Sequence, residues 1–166
     1  MENSCISLLL SCTRPEKEEI EYVIDVKTSD MSHAATDSRV YVVLRSEREE
    51  SEKLWLDGGR FERGKTENFR ITLPQMLSPL RELRVGTDYK GRRHPDWHLD
   101  SVRVNCPRTG IEQLFTCRQP LSKKDGDGKI ERTLGEDQRD LRTRPKCAPI
   151  SLRVLIRVVQ VHYVRT

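Results

Sequence analysis

The chain has 166 residues, enough for one domain with a packed core and too few for two ordinary ones. With 35% hydrophobic and 34% charged residues, part of the sequence is expected to lie outside any core. Thirty Lys and Arg against 26 Asp and Glu leave +4, short of a dedicated nucleic-acid binder and suited to an anionic membrane surface.

In chain order, residues 1–18 carry no lasting periodicity and close on Arg14-Pro15-Glu16-Lys17-Glu18, which reads as a solvated linker. The apolar run Ile6 to Leu10 is far below the roughly 20 residues of a membrane span, and only Glu2 is charged before it. Neither a spanning helix nor a secretory leader is expected. From Ile20 the pattern turns to short alternating segments. Ile20, Tyr22, Ile24 and Val26 come first; Val40, Val42 and Leu44 follow, then Leu54 and Leu56. Phe69, Ile71 and Leu73 are next, then Leu83 and Val85, then Val102, Val104 and Cys106. Ile111, Gln113, Phe115 and Cys117 form another, and Ile130 to Leu134 the last.

Successive strand side chains leave opposite faces, so this alternation predicts eight half-buried strands. The turns between them are rich in Gly, Pro, Asp and Ser, as in Asp57-Gly58-Gly59, Pro107-Arg108-Thr109-Gly110 and Asp125-Gly126-Asp127-Gly128. No amphipathic helix is legible. The expectation is an all-β, antiparallel eight-stranded sandwich over 19–136, flanked by a linker over 1–18 and a charged linker and β-prone tail over 137–166. The tail from Ile150 to Thr166 fits an extra edge strand, a docking segment or a stretch with no partner in this chain. Ile24, Val26, Val42, Leu44, Phe69, Ile71, Leu83, Val85, Val102, Val104 and Phe115 are predicted core.

Cysteines stand at 5, 12, 106, 117 and 147, an odd number without a C-x-x-C pair, so no zinc site is expected. Cys106 and Cys117 lie in periodic segments and read as free thiols, which points to a reducing, cytoplasmic compartment.

Several motifs then bear on family. Tyr22 to Asp30 resembles a first strand closed by Thr-Gly-Asp, and Ala35-Thr36-Asp37-Ser38 a Gly-Thr-Asp-Ala loop. Phe61-Glu62-Arg63-Gly64-Lys65 matches a Phe-x-Arg-Gly-x signature. Gly86-Thr87-Asp88, Pro95-Asp96-Trp97 and Leu99-Asp100 resemble a Gly-His-Asp…Trp-Phe-Leu-Asp stretch. Phe115-Thr116-Cys117 and Asp127 to Arg132 look like closing strands. In this order they resemble the PLAT, or lipoxygenase homology, domain from Tyr22 to Leu134. The wording around Asn105-Cys106-Pro107 is similar to repeats of tandem-PLAT proteins of hair-cell stereocilia.

The resemblance implies two packed four-stranded sheets with function in loops at one end. It implies membranes and protein partners, often assisted by calcium, on a cytoplasmic, membrane-associated or stereociliary protein. The sequence departs from the family at Ser29, where Gly is usual, at Ala34-Ala35 in place of a Gly-containing turn, at Thr87 for His, and at Pro120 for Trp.

Calcium needs six to eight oxygens. Asp30, Thr36 and Asp37 share one inter-strand loop, and Asp57 and Asp88 fall in loops that a sandwich brings to the same end. Asp37 with the Ala35 carbonyl matches the family's calcium loop; against this, Asp and Thr also form Asx-type turns. Lys90, Arg92, Arg93 and His94 make a basic loop beside Trp97. It reads as a lipid- or partner-binding tip with Trp97 as aromatic anchor, or as a solvated turn; for Trp97 the resemblance favours a place in the core. Lys123 to Gly128 reads as a hairpin turn, because Leu134 stands where an EF-hand needs Glu. His98 and Asp100 share a strand face without a nucleophile, and no hydrolase, Walker or Rossmann motif occurs. The chain reads as a non-catalytic docking module, a repeat or fragment of a larger scaffold; the alternative is a structural spacer that binds neither lipid nor calcium.

Overall fold

The computed structural model describes residues 19–136 and the backbone of Arg142–Thr143. Alternation gives each strand one apolar face, which is stable only against a second such face. The chain supplies both with β1 (Ile20–Thr28), β2 (Val40–Arg45), β3 (Leu54–Trp55), β4 (Thr66–Leu73), β5 (Glu82–Thr87), β6 (Trp97–Cys106), β7 (Ile111–Leu121), β8 (Glu131–Gly135) and the two-residue β9 (Arg142–Thr143). The pairings are antiparallel, in sheets ordered β4-β1-β6-β7-β9 and β3-β2-β5-β8. No helix occurs among the described residues. This is the expected all-β antiparallel sandwich, its first sheet extended by β9. The linker over 1–18 and the tail over 137–166 lie outside the described residues, β9 excepted.

The two inner faces meet through Tyr22, Ile24 and Val26 of β1, Val40, Val42 and Leu44 of β2, Leu83 and Val85 of β5, and Phe115 of β7, all buried. Central strands carry this core. Cross-strand pairs such as Ile24 with Val104 and Val42 with Val85 align the apolar rows.

Two predicted core residues need correction. Phe69 and Ile71 are half-buried, because β4 is the edge of its sheet and pairs only with β1. Phe69 instead stacks on Phe61 at 5.9 Å between ring centroids, and Phe61 is the buried member of that pair.

The core also extends where alternation is silent. In β6, Trp97 and Leu99 are buried in one phase and Val102, Val104 and Cys106 in the other. The pairing register shifts between Lys27 and Thr28 on β1 and between Leu99 and Ser101 on β6. Such an irregularity inserts a residue on one strand and resets which face each side chain occupies. It thereby puts the two halves of β6 out of phase and hides the first from a single period-two reading. Leu77 and Leu80, on the loop between β4 and β5, are likewise buried. The Tyr22 hydroxyl accepts the Leu77 N–H at 2.7 Å. The buried Gln113 amide accepts from the Leu80 N–H at 2.7 Å and donates to its carbonyl at 2.8 Å.

Candidate functional site

Antiparallel order sends β1, β3, β5 and β7 toward one end of the sandwich and starts β2, β4, β6 and β8 there. The loops over residues 29–39, 56–65, 88–96 and 122–130 therefore collect at that end, and hydrogen bonds join them. The Thr36 N–H reaches the Phe61 carbonyl at 3.4 Å, the Asp37 N–H the His94 carbonyl at 3.1 Å, and the Asp88 N–H the Arg39 carbonyl at 3.0 Å. The Lys123 ammonium lies 4.8 Å over the Tyr89 ring. The last three of these loops each hold three Lys or Arg against two acids.

Most contacts converge on the loop from Asp88 to Asp96. The Asp37 carboxylate accepts three consecutive backbone N–H groups of that loop: Arg92 at 3.0 Å, Arg93 at 2.9 Å and His94 at 2.9 Å. Donation first from Arg93, and then from its neighbours, holds the Asp37 carboxyl below its ordinary pKa, since each N–H favours the ionised form. On either side of Asp37, the buried Thr36 hydroxyl donates to the His94 carbonyl at 2.9 Å and accepts the Ser38 N–H at 3.1 Å. The Ser38 hydroxyl takes the Gly91 N–H at 3.0 Å and donates to the Pro95 carbonyl at 3.2 Å. Gly91 is needed here for space: a Cβ would stand 2.0 Å from Asp37 Oδ1 and 2.9 Å from Ser38 Oγ.

The other acids at this end have different partners. Asp30 pairs with Arg63 at 2.7 Å and Asp57 with Arg39 at 3.0 Å. Asp88 Oδ1 accepts the backbone N–H of Arg39 and of Lys90, each at 3.1 Å. Ala35 is half-buried on the same loop as Asp37. Of the proposed oxygen donors, Asp37 and Asp57 line one groove of about 410 Å³, with Arg39 and Arg60 among its walls. Among the described residues, no three His, Cys, Asp or Glu side chains stand close enough to share an ion.

Lys90, Arg92 and Arg93 are exposed, as is His94, and none of the three cations has an acid within ion-pair distance among the described residues. Trp97, the candidate anchor beside them, is not at the surface but takes the core place that was its other reading. It is 1% exposed, donates its indole N–H to Thr28 Oγ1 at 3.1 Å and meets the Phe61 ring edge-on at 5.4 Å.

Among the described residues the exposed aromatic is Trp55, which sequence reasoning passed over. It is 37% exposed on β3, 4.5 Å beneath the Arg39 guanidinium and edge-on to Tyr41 at 5.2 Å. Its position between Leu54 and Leu56 carried the signal, because alternation sends the middle residue to the outer face. Met31 is a second exposed apolar side chain at this end.

Two further sequence readings meet their geometry here. His98 Nδ1 lies 2.7 Å from Ser29 Oγ while Asp100 pairs with Lys27 at 3.3 Å, so the two have separate partners. Residues Asp125 to Gly128 form a turn with positive φ at Gly126 and Gly128, and the Asp127 carboxylate is held by Arg132 at 2.6 Å.

The PLAT/LH2 domain family model matches residues 22–134. The lipoxygenase homology domain-containing protein 1 of human is 40% identical over 141 residues and that of mouse 39%, each over 84% of this chain. The chain spans about 7% of the length of those relatives. A crystal structure of coral 8R-lipoxygenase, described as activated by calcium through a C2-like domain, shares the fold at TM-score 0.59 and 20% identity. It covers 70% of this chain and 17% of that one. A family match across nearly the whole sandwich, with relatives at 40% identity over most of the chain, makes this chain a member of the PLAT/LH2 domain family.

Proposed function

We propose that this domain is a non-catalytic docking module that binds anionic membrane surfaces through the loop end of the sandwich. The observation that carries the reading is the exposed loop bearing Lys90, Arg92 and Arg93, three cations with no acidic partner among the described residues. Each cation near an anionic leaflet contributes about 1 kcal/mol. Trp55 and Met31 supply apolar contacts on neighbouring loops or strand ends. The reading goes with the cytoplasmic face of a membrane, stereociliary membrane included, where anionic lipid concentrates.

Calcium assistance is described for the coral lipoxygenase. The residues here do not fit that role as they stand. Asp37 is engaged by three amides, Asp88 by two, and Asp30 and Asp57 by arginines. An ion would have to displace those partners to collect the oxygens it needs.

The test is sedimentation with phosphatidylcholine vesicles with and without phosphatidylserine. The wild-type domain should sediment with the anionic vesicles, and reversal of Lys90, Arg92 and Arg93 to Glu should abolish this at moderate salt. Binding that survives the triple reversal would remove the loop from the contact. A wild type that binds neither vesicle would favour the spacer reading.

A further inference from the structure

We propose that the Asp37 carboxylate is a positioning residue for anionic-surface binding, holding the basic loop in its exposed shape where an ion would otherwise be expected. This rests on the docking reading above. Lys90, Arg92 and Arg93 repel one another, so a free loop would spread them over many conformations. Here the loop is fastened by three consecutive residues of another one. Ser38 takes the Gly91 N–H, and Asp37 takes those of Arg92, Arg93 and His94. Thr36 and Asp37 both close on the His94 carbonyl.

Two consequences follow from this stitching. Consecutive backbone N–H groups make an anion-binding concavity. In this chain the protein's own carboxylate fills it, so a phosphate headgroup meets the outward side chains and not the amides. The approach is also close enough to exclude any side chain at position 91, which a Cβ 2.0 Å from Asp37 Oδ1 makes plain.

The experiment turns on a sign. Asp37→Asn removes a negative charge, which by electrostatics alone tightens binding to anionic vesicles. Loss of the clasp acts the other way. If Asp37 positions the loop, Asp37→Asn weakens binding to phosphatidylserine vesicles by about fivefold or more, the equivalent of one surface cation. Gly91→Ala, which changes no charge, should weaken it similarly. Wild-type binding should be equal in chelator and in millimolar calcium.

Hydrogen exchange of the Arg92, Arg93 and His94 amides in the free domain reads the clasp without lipid. They should be protected in the wild type and exchange faster in both variants, at a retained thermal midpoint. Unchanged or tighter binding by Asp37→Asn overturns the proposal. So do calcium-dependent wild-type binding and unprotected wild-type amides. Protected amides in a wild type that ignores vesicles would show that the docking reading itself had failed, and the positioning role with it.

Discussion

Gln113 is buried, and the carbonyl and NH2 of its side-chain amide are matched to the two backbone polar groups of Leu80. The alternating pattern placed it in a strand, at an inward position where an apolar residue would ordinarily stand. The pairing explains the exception: a loop folded over the end of a sandwich brings backbone groups into a dry interior, where each must find a partner. Replacing Gln113 by Leu keeps the volume and strands both Leu80 groups. We expect a cost of about 2–4 kcal/mol in urea denaturation, from two buried groups at about 1–3 kcal/mol each, partly offset by the added apolar contact. A cost below about 0.5 kcal/mol, within the range of ordinary surface substitutions, would mean water replaces the amide. The partner of a buried Gln is not legible in a sequence, because the separation of 33 positions between it and Leu80 is bridged only by the folded chain.

At the scale of the element, a strand's place in its sheet decides how much its alternating face contributes. Phe69 and Phe115 look alike in the sequence, each in an alternating run. Phe115 lies on β7 opposite the buried Val102 of β6 and is fully buried, while Phe69 lies on edge strand β4 and is half-buried. Phe115→Ala should therefore cost about 3–5 kcal/mol, the range for an aromatic lost from a packed core. Phe69→Ala should cost about 1–2 kcal/mol, a fraction of full side-chain burial. Equal losses in chemical denaturation would show that the edge is covered. The irregularity in β6 makes the same point about phase. Alternation located Val102 to Cys106 but not Trp97 and Leu99, because the register shift moves the buried set by one residue between them. The motif resemblance, by contrast, already favoured a core place for Trp97 over a surface one.

For the whole molecule, charge and titration act together. Burial holds the His98 imidazole below its ordinary 6.5, against the opposing pull of Asp100. A base with a depressed folded pKa is favoured neutral, so its contribution is present above the ordinary value and is lost as pH falls through it. Asp37, with its backbone donors led by Arg93, and Asp127, bonded first by Arg132, are held low as well. Their contribution is present above the ordinary carboxylate value and is lost at lower pH still. Tyr22, Tyr41 and Cys117 are pushed up, chiefly by burial, so they favour the folded state until pH rises past their ordinary values. Stability should form a plateau between 6.5 and 9.0 and fall on both sides, the acid side in two stages. Thermal melts from about pH 3 to about pH 11 check this. His98→Asn should flatten the first acid stage and leave the second, and an unchanged first stage would place its origin elsewhere.

The sequence by itself determined the eight strands, the sandwich, nine of the eleven residues named as core and the exposure of the basic loop. These follow from local periodicity and turn chemistry, which act over a few residues. It also singled out Asp37 and Lys90 to His94, which lie on two loops that the fold joins. What only the tertiary structure decided is what those residues do to one another. More than 50 residues separate Asp37 from the amides it accepts. A carboxylate's partner, whether ion, guanidinium or backbone N–H, is set by which loops meet at the sandwich end, and no local pattern encodes that meeting.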